Sequence, residues 1–223
     1  MDAERLSVVV PALNEAAGIE DCLRGVAPLR ARGHEVIVVD GGSTDATARL
    51  AAPLCDRLVA APRGRALQMN AGAAAAAGDA LLFLHADTRL PPGADAAILG
   101  ALRTRAWGRF DVAIDSRDPR LAVVGFCMNW RSRLTGIATG DQALFVRRRD
   151  FPGFAPIALM EDVALCKAMK RVSPPACLRE RVSTSARRWE RHGVARTVLL
   201  MWRLRLAYWR GADPDALARR YAR

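Results

Sequence analysis

An α/β architecture, with a doubly wound sheet covered by helices on both faces, is predicted by three features of the chain. Short apolar runs recur at 7–10, 36–40, 57–60 and 80–85, and nearly continuous apolar character is what strands show when both sheet faces are covered. Helical intervals lie between them. Within 15–32 the apolar residues Ile19, Leu23, Val26 and Leu29 recur at three- and four-residue spacing, and a second interval over 44–54 follows the cap signal Ser43-Thr44-Asp45. The alternation of strand and helix through residues 1–90 calls for parallel strands joined by crossovers.

The first strand runs into Val10-Pro11-Ala12-Leu13-Asn14-Glu15, and the second into Val39-Asp40-Gly41-Gly42-Ser43-Thr44-Asp45. Side chains at the carboxyl ends of adjacent parallel strands converge on one crevice, so Asn14, Glu15, Asp40 and Asp45 are expected to line a single pocket. Glycines in the second loop permit close backbone approach, and the Asp40 carboxylate can accept hydrogen bonds from a nucleobase N–H or ribose hydroxyls. The plainer alternative is that Asp40 and Asp45 only cap a helix. Neither a G-x-G-x-x-G turn nor a P-loop is present, which disfavours dinucleotide and P-loop chemistry. The fourth strand ends in His85-Ala86-Asp87, where a lone carboxylate can hold a hard divalent cation if substrate phosphates supply further oxygens.

After Pro91-Pro92 the pattern changes. Residues 109–115 alternate in polarity and 142–147 look like another strand, so the second half should add antiparallel or mixed strands to the same sheet. Pro152, Pro156, Pro174 and Pro175 then divide the chain into loops around one short helix near 162–171. The organisation expected is one domain over 1–193, a nucleotide-binding half (1–90) and an acceptor-side half (91–193), with a basic amphipathic helical extension over 194–223. In that extension Arg196, Arg203 and Arg210 recur every seventh residue, near Trp202, Tyr208 and Trp209. Its longest uncharged run falls far short of the roughly 20 residues a membrane span needs. Two readings stay open: the helix packs on the domain, or it lies on an anionic bilayer surface.

A chain of 223 residues can bury one sizeable core, and its composition is that of a globular protein. Five scattered cysteines without a close pair argue against a disulfide framework or a zinc site and suit a reducing cytoplasm. The acidic start, Met1-Asp2-Ala3-Glu4-Arg5, lacks the signal-peptide pattern, so export is not expected. A net charge of +11 favours anionic partners, whether nucleotides, phospholipid surfaces or nucleic acid. No recognisable nucleic-acid module accompanies the charge, so a noncatalytic nucleic-acid-binding protein is the weaker alternative and nucleic acid is not an expected partner.

Four segments, Pro11-Ala12-Leu13-Asn14-Glu15, Val39-Asp40-Gly41-Gly42-Ser43-Thr44-Asp45, His85-Ala86-Asp87 and Glu161-Asp162, together resemble the ordered motifs of family 2 glycosyltransferases of the GT-A type. The resemblance implies a GT-A (nucleotide-diphospho-sugar transferase) fold. It also implies transfer of a sugar from a nucleotide-sugar donor to a small-molecule or lipid-linked acceptor, with Asp40 on the base and Asp87 holding Mg²⁺ or Mn²⁺ on the diphosphate. Pro11, Asn14, Glu15, Gly42 and Asp45 fall in the donor loops, and Arg65 and Asn70 look like the family's donor-contacting stretch. His85 departs from the pattern, because the family usually has an acid where the triplet faces the ribose; a neutral imidazole can still bind a hydroxyl or a borderline metal.

By the same resemblance Asp162 is the general base that takes the acceptor hydroxyl's proton, with Glu161 in reserve. From the residues alone, an acidic pair opening a helix is a dipole-favoured cap. Thr139-Gly140-Asp141-Gln142 looks like an acceptor-side segment, Gly140 allowing approach and Asp141 orienting a hydroxyl. Ser185-Ala186-Arg187-Arg188-Trp189 resembles a late element that sets Arg188 on the leaving diphosphate and Trp189 on the acceptor side. It lacks the Gln-x-x-Arg-Trp form of processive synthases, so polymerisation is not expected. Short length and the Thr139 segment look closest to a compact bacterial subgroup associated with arsenosugar biosynthesis. A sugar nucleotidyltransferase, the other enzymatic alternative, would need a basic glycine-rich first loop that the chain lacks. The place implied is the cytoplasm, with peripheral contact at the inner membrane surface.

Overall fold

The computed structural model describes residues 5–221. Its first half runs β1 (Leu6–Ala12), α1 (Ile19–Ala31), β2 (Glu35–Asp40), α2 (Thr47–Ala51), β3 (Arg57–Ala60), α3 (Arg65–Ala75) and β4 (Ala80–Phe83). The second half runs β5 (Thr88–Arg89), α4 (Ala94–Leu102), β6 (Trp107–Asp115), α5 (Pro119–Thr135), β7 (Phe145–Arg147), α6 (Glu161–Met169), β8 (Ala176–Ser185), α7 (Arg187–His192), α8 (Val194–Trp209) and α9 (Pro214–Tyr221). All eight strands join one sheet in the order β3-β2-β1-β4-β7-β6-β8-β5. The first four are parallel, β7 runs antiparallel to both β4 and β6, and β8 is parallel to β6 but antiparallel to β5.

Successive side chains of a strand point to opposite faces, and the two halves of the core divide accordingly. Val8, Val10, Val36 and Val38 meet α1 and α4 on one face, through Leu23, Val26 and Ile98. Val9, Ile37 and Val39 meet α3 and α6 on the other, through Met69, Ala73, Leu165 and Met169. That double coverage explains the unbroken apolar character of β1 and β2.

Several boundaries differ from the sequence expectation for local reasons. β1 continues through Pro11 to Ala12, whereas α1 begins only at Ile19, because Asn14 takes a left-handed conformation (φ 55°) and a turn onto the Glu15 carbonyl intervenes. The expected helix over 44–54 is one turn of α-helix followed by a 3₁₀ turn at Ala52–Leu54, where Pro53 offers no N–H. β4 stops at Phe83, so His85 and Asp87 lie in a loop leading to β5. Gln142 belongs to the 3₁₀ turn Gly140–Gln142 rather than to the strand expected over 142–147.

At the end of the described residues, α8 buries Thr197 and Leu204 while Leu217 of α9 packs into the same cluster with Met160 and Val163. The extension therefore packs on the α6 side of the protein. None of the helices among the described residues is long and apolar enough to cross a membrane.

Candidate active site

The carboxyl ends of β1, β2 and β4 open on one side of the sheet, and the loops there are tied together by hydrogen bonds. Ala12 is paired with Asp40 at the ends of β1 and β2, and the Gln68 amide donates to both the Ala12 and Val39 carbonyls, at 2.8 and 2.9 Å. Half-buried Pro11 precedes this end within β1. The Asp40 carboxylate accepts from the Gly42 and Ser43 N–H groups, at 3.2 and 3.1 Å, and Gly42 supplies the positive φ (86°) that closes this loop. The Asn14 side-chain oxygen accepts from the Thr44 N–H at 2.9 Å, and the Asn14 N–H donates to Ser43 Oγ at 2.9 Å. Asp45 is held by the Thr47 hydroxyl and N–H and by the Ala16 N–H. The Thr47 hydroxyl contact, with the backbone N–H groups, keeps the Asp45 carboxyl below the usual range. Asn14 and Asp45 are thus occupied in holding the two loops together.

On the other side of β1, Asp87 lies in the loop after β4, beside a groove of about 290 Å³ lined by Gly18, Thr88, Ser185 and Arg187. Arg187 Nη2 lies 2.9 Å from Glu15 Oε2 and 3.6 Å from Asp87 Oδ2. The guanidinium at Asp87 is therefore that of Arg187, whereas Arg188 stacks on the Tyr221 ring at 3.5 Å and donates to the Tyr221 carbonyl at 2.8 Å. Arg188, expected on the diphosphate, thus turns toward Tyr221, and its neighbour Arg187 takes the place beside Asp87. α7 starts at Arg187, and on a helix adjacent residues point about 100° apart. Nothing in an Arg-Arg dipeptide signals which member faces inward.

The residues expected on the acceptor side meet across the loop before β7. His85 Nδ1 lies 3.3 Å from Asp141 Oδ1, and a side chain at Gly140 would sit 2.5 Å from the imidazole, so only glycine fits there. The Gly140 N–H donates to Asp162 Oδ2 at 3.0 Å, and the Val163 N–H donates to Asp162 Oδ1 at 2.7 Å. Beside it Glu161 is buried, 3.8 Å from Arg65 Nη1. Burial and the Asp162 charge push the Glu161 carboxyl up. Burial would raise Asp141 as well, but the hydrogen bond and charge of His85, with Arg65 and Arg205, hold it below the usual carboxylate range. His85 Nε2 is buried with no partner.

Two expected site residues are placed elsewhere. Asn70 spends both ends of its amide on the Phe154 backbone, at 2.8 Å each, and so clamps the loop before α6 rather than facing the crevice. Trp189 packs with Val124 and Val194 against the cluster of Ile114, Leu121 and Ala186, a cluster that holds neither Gly140 nor Asp141.

With this geometry in hand, the sequence matches the model described as "Glycosyl transferase family 2" over residues 7–151. The chain belongs to this family. Relatives include a PGL/p-HBAD biosynthesis glycosyltransferase of Mycobacterium bovis, 40% identical over 97 residues. A counterpart of Mycobacterium tuberculosis gives the same values. Each match covers 40% of this chain and 38% of the relative, so the similarity spans well under half of those proteins. Among solved structures, glucosyl-3-phosphoglycerate synthase of Mycobacterium tuberculosis superimposes with a TM-score of 0.63 at 23% identity, covering 82% of this chain and 71% of that one. That structure is a complex with Mn²⁺, uridine diphosphate and glucosyl-3-phosphoglycerate; another of the same enzyme gives 0.63 at 24% identity. The likeness establishes the GT-A fold. Glu161, Asp162, Arg187 and the terminal helices lie beyond the residues matched to family 2.

Among the described residues no three His, Cys, Asp or Glu side chains gather to form a metal cage. Asp87, with a third of its side chain exposed, still fits a hard divalent cation whose other oxygens come from a diphosphate.

Proposed function

We propose that the protein is an inverting glycosyltransferase that moves a sugar from a nucleotide-diphosphate donor to an acceptor hydroxyl. One observation carries the reading: Asp162, with both carboxylate oxygens fixed by backbone N–H groups, adjoins the Gly140–Asp141–His85 cluster, while Asp87 and Arg187 form a separate anion- and cation-binding end. Single displacement requires a base and, apart from it, a group that receives the leaving charge.

In this reading Asp40 accepts hydrogen bonds from the donor base or ribose. Mg²⁺ or Mn²⁺, held by Asp87, would neutralise charge on the diphosphate; the solved relative's complex with Mn²⁺ and uridine diphosphate supports this choice. Asp162 takes the proton of the acceptor hydroxyl as that oxygen bonds to the anomeric carbon, and the bond from that carbon to the diphosphate breaks on the opposite face. Arg187 shields the departing charge, and Asp141 with His85 orients acceptor hydroxyls. Both the cytoplasmic location and the subgroup associated with arsenosugars belong to this proposal, the latter resting on the Thr139 to Gln142 segment.

Peripheral attachment to an anionic bilayer is part of the same reading. The outward face of α8 carries Leu199, Trp202, Leu206 and Trp209, all exposed, beside Arg196, Arg203 and Arg210. On α5, which adjoins the start of α8 through Val124 and Val194, Val123, Phe126, Trp130 and Leu134 are exposed in a second stripe.

Incubation with a panel of nucleotide sugars and Mn²⁺ tests the activity. Asp87→Asn should remove metal-dependent nucleotide binding, whereas Asp162→Asn should spare binding and abolish transfer. Full activity in both variants would refute the assignment of roles.

A further inference from the structure

The hydrogen bond from the Gly140 N–H to Asp162 joins two segments, and each is held in place by another element. Gly140 opens the 3₁₀ turn before β7, and the buried Gln142 side chain fixes that turn. Its oxygen accepts from the Thr139 N–H at 3.3 Å; its amide donates to Ser132 Oγ at 3.1 Å and to the Phe110 carbonyl and Asn129 Oδ1 at 3.4 Å each. Ser132 and Asn129 lie on the buried face of α5, and Asn129 bonds both the N–H and the carbonyl of Val112 in β6, at 2.8 and 3.0 Å. The turn leaves through Ala143, buried and held at φ 47°. Alanine adopts that conformation only where its surroundings impose it.

Asp162 lies in the first turn of α6, which has no side-chain cap among the described residues. Such turns fray when nothing covers them. Here the cover is packing: Met160, left-handed at φ 72°, and Val163 lie buried against Leu204 of α8 and Leu217 of α9. Neither leucine belongs to the clusters that cover the sheet. The extension therefore clamps the turn that carries Asp162, and it does so from beyond the residues matched to family 2.

We propose that Gln142 and Leu217 are positioning residues for Asp162, Gln142 fixing the N–H that the carboxylate accepts and Leu217 fixing the helical turn on which it sits. This rests on the reading of Asp162 as the base. At 0% and 1% exposure neither side chain can touch a substrate, so each acts through the group it holds. A misplacement of about 1 Å can cost roughly a hundredfold in rate, so a base on an uncapped turn needs such support.

Two amides report where Asp162 stands, whatever the acceptor. The Gly140 and Val163 N–H groups donate to its carboxylate and to nothing else among the described residues. Their hydrogen exchange, followed by NMR on the full chain, therefore tests the proposal, with Asp162→Ala giving the rate of the released amides. Gln142→Met should speed exchange at Gly140 about tenfold or more, the worth of a hydrogen bond to a charged group. Leu217→Ala should speed it at both amides, and Leu217→Met, which refills the space, should exchange like wild type. The Val9 and Val38 amides, inside the sheet, should stay protected throughout. With a nucleotide sugar that the wild type turns over, Gln142→Met and Leu217→Ala should lower kcat about tenfold or more at an unchanged donor KM. Wild-type exchange at Gly140 and Val163 in these two variants overturns the proposal, as does a rise shared equally by Val9 and Val38, the mark of a merely structural role. Fast local exchange with full turnover would leave the positioning of Asp162 standing and count instead against Asp162 as the base.

Discussion

Asn70 and Glu161 show how position within the fold decides what a polar side chain does. Asn70 sits on α3 where an arginine- and asparagine-bearing stretch reads as donor contact, yet its amide is spent on the Phe154 backbone, which tethers the loop leading to α6. Asn70→Ala should therefore lower unfolding free energy by about 1–3 kcal/mol, because buried backbone groups lose their partners, while nucleotide affinity holds. Chemical denaturation and calorimetry separate the two effects, and unchanged stability with lost nucleotide binding would return Asn70 to the donor site. Glu161 is the reverse case, a carboxyl whose burial beside Asp162 raises its pKa on folding. A raised folded value means that its ionisation opposes folding: the stability is full below the ordinary glutamate pKa and is lost as pH climbs through the raised one. Glu161→Gln cannot ionise, so its melting temperature should gain on wild type as pH rises above the ordinary glutamate range. Parallel melting curves across that interval would contradict the assignment. Asp40, Asp87 and Asp162 could be picked out as candidates because each belongs to a short polar motif next to a strand or a helix start. Which of Arg187 and Arg188 lies beside Asp87 could not be read, since it depends on the rotation of a helix whose start no local signal marks.

Legibility of the elements followed the range of the forces that form them. β2 and β3 have apolar character of their own, and the sequence expectation for them agrees closely with what is observed. β5 has none: its two residues are strand only because Thr88 and Arg89 pair with Thr184 and Ser183, almost a hundred positions away. The same distinction explains the extension, whose helical character was readable but whose break into α8 and α9 and whose orientation were not. Thr197 and Leu204 face the protein, so the outward stripe of Leu199, Trp202, Leu206 and Trp209 is left uncovered. Interfacial tryptophans beside arginines give binding that grows with apolar burial and with the attraction to anionic lipid. Sedimentation with phosphatidylglycerol vesicles should therefore pull the protein down at low salt and release much of it at high salt. Trp202→Ser with Trp209→Ser should cut the bound fraction severalfold while the melting temperature stays near wild type, because both rings are exposed. Equal sedimentation with neutral vesicles, or indifference to the paired substitution, would remove the bilayer from the proposal.

One contact between the chain's two halves should also govern metal affinity. Arg187, from the start of α7, reaches back across 172 positions to Glu15 and lies beside Asp87. The glutamate contact and the Asp87 charge in turn hold the guanidinium above its ordinary pKa. In the nucleotide-free protein this fixed positive charge competes with any cation for Asp87. A single carboxylate next to an arginine is a poor site for Mn²⁺, since like charges oppose each other and few oxygens are offered. A diphosphate changes both terms at once, bringing oxygens for the metal and negative charge for Arg187. Metal and nucleotide should then bind as a coupled pair, each strengthening the other by the same factor. Replacing Arg187 with Met should tighten Mn²⁺ binding to the free protein severalfold, by relieving the competition, and weaken uridine diphosphate binding in the presence of Mn²⁺. The coupling between the two ligands should shrink accordingly. Electron paramagnetic resonance of free Mn²⁺, titrated with and without uridine diphosphate, measures all four affinities. An Arg187→Met protein whose Mn²⁺ affinity is unchanged or weaker without nucleotide would show that the guanidinium does not guard Asp87, and that Glu15 alone is its partner.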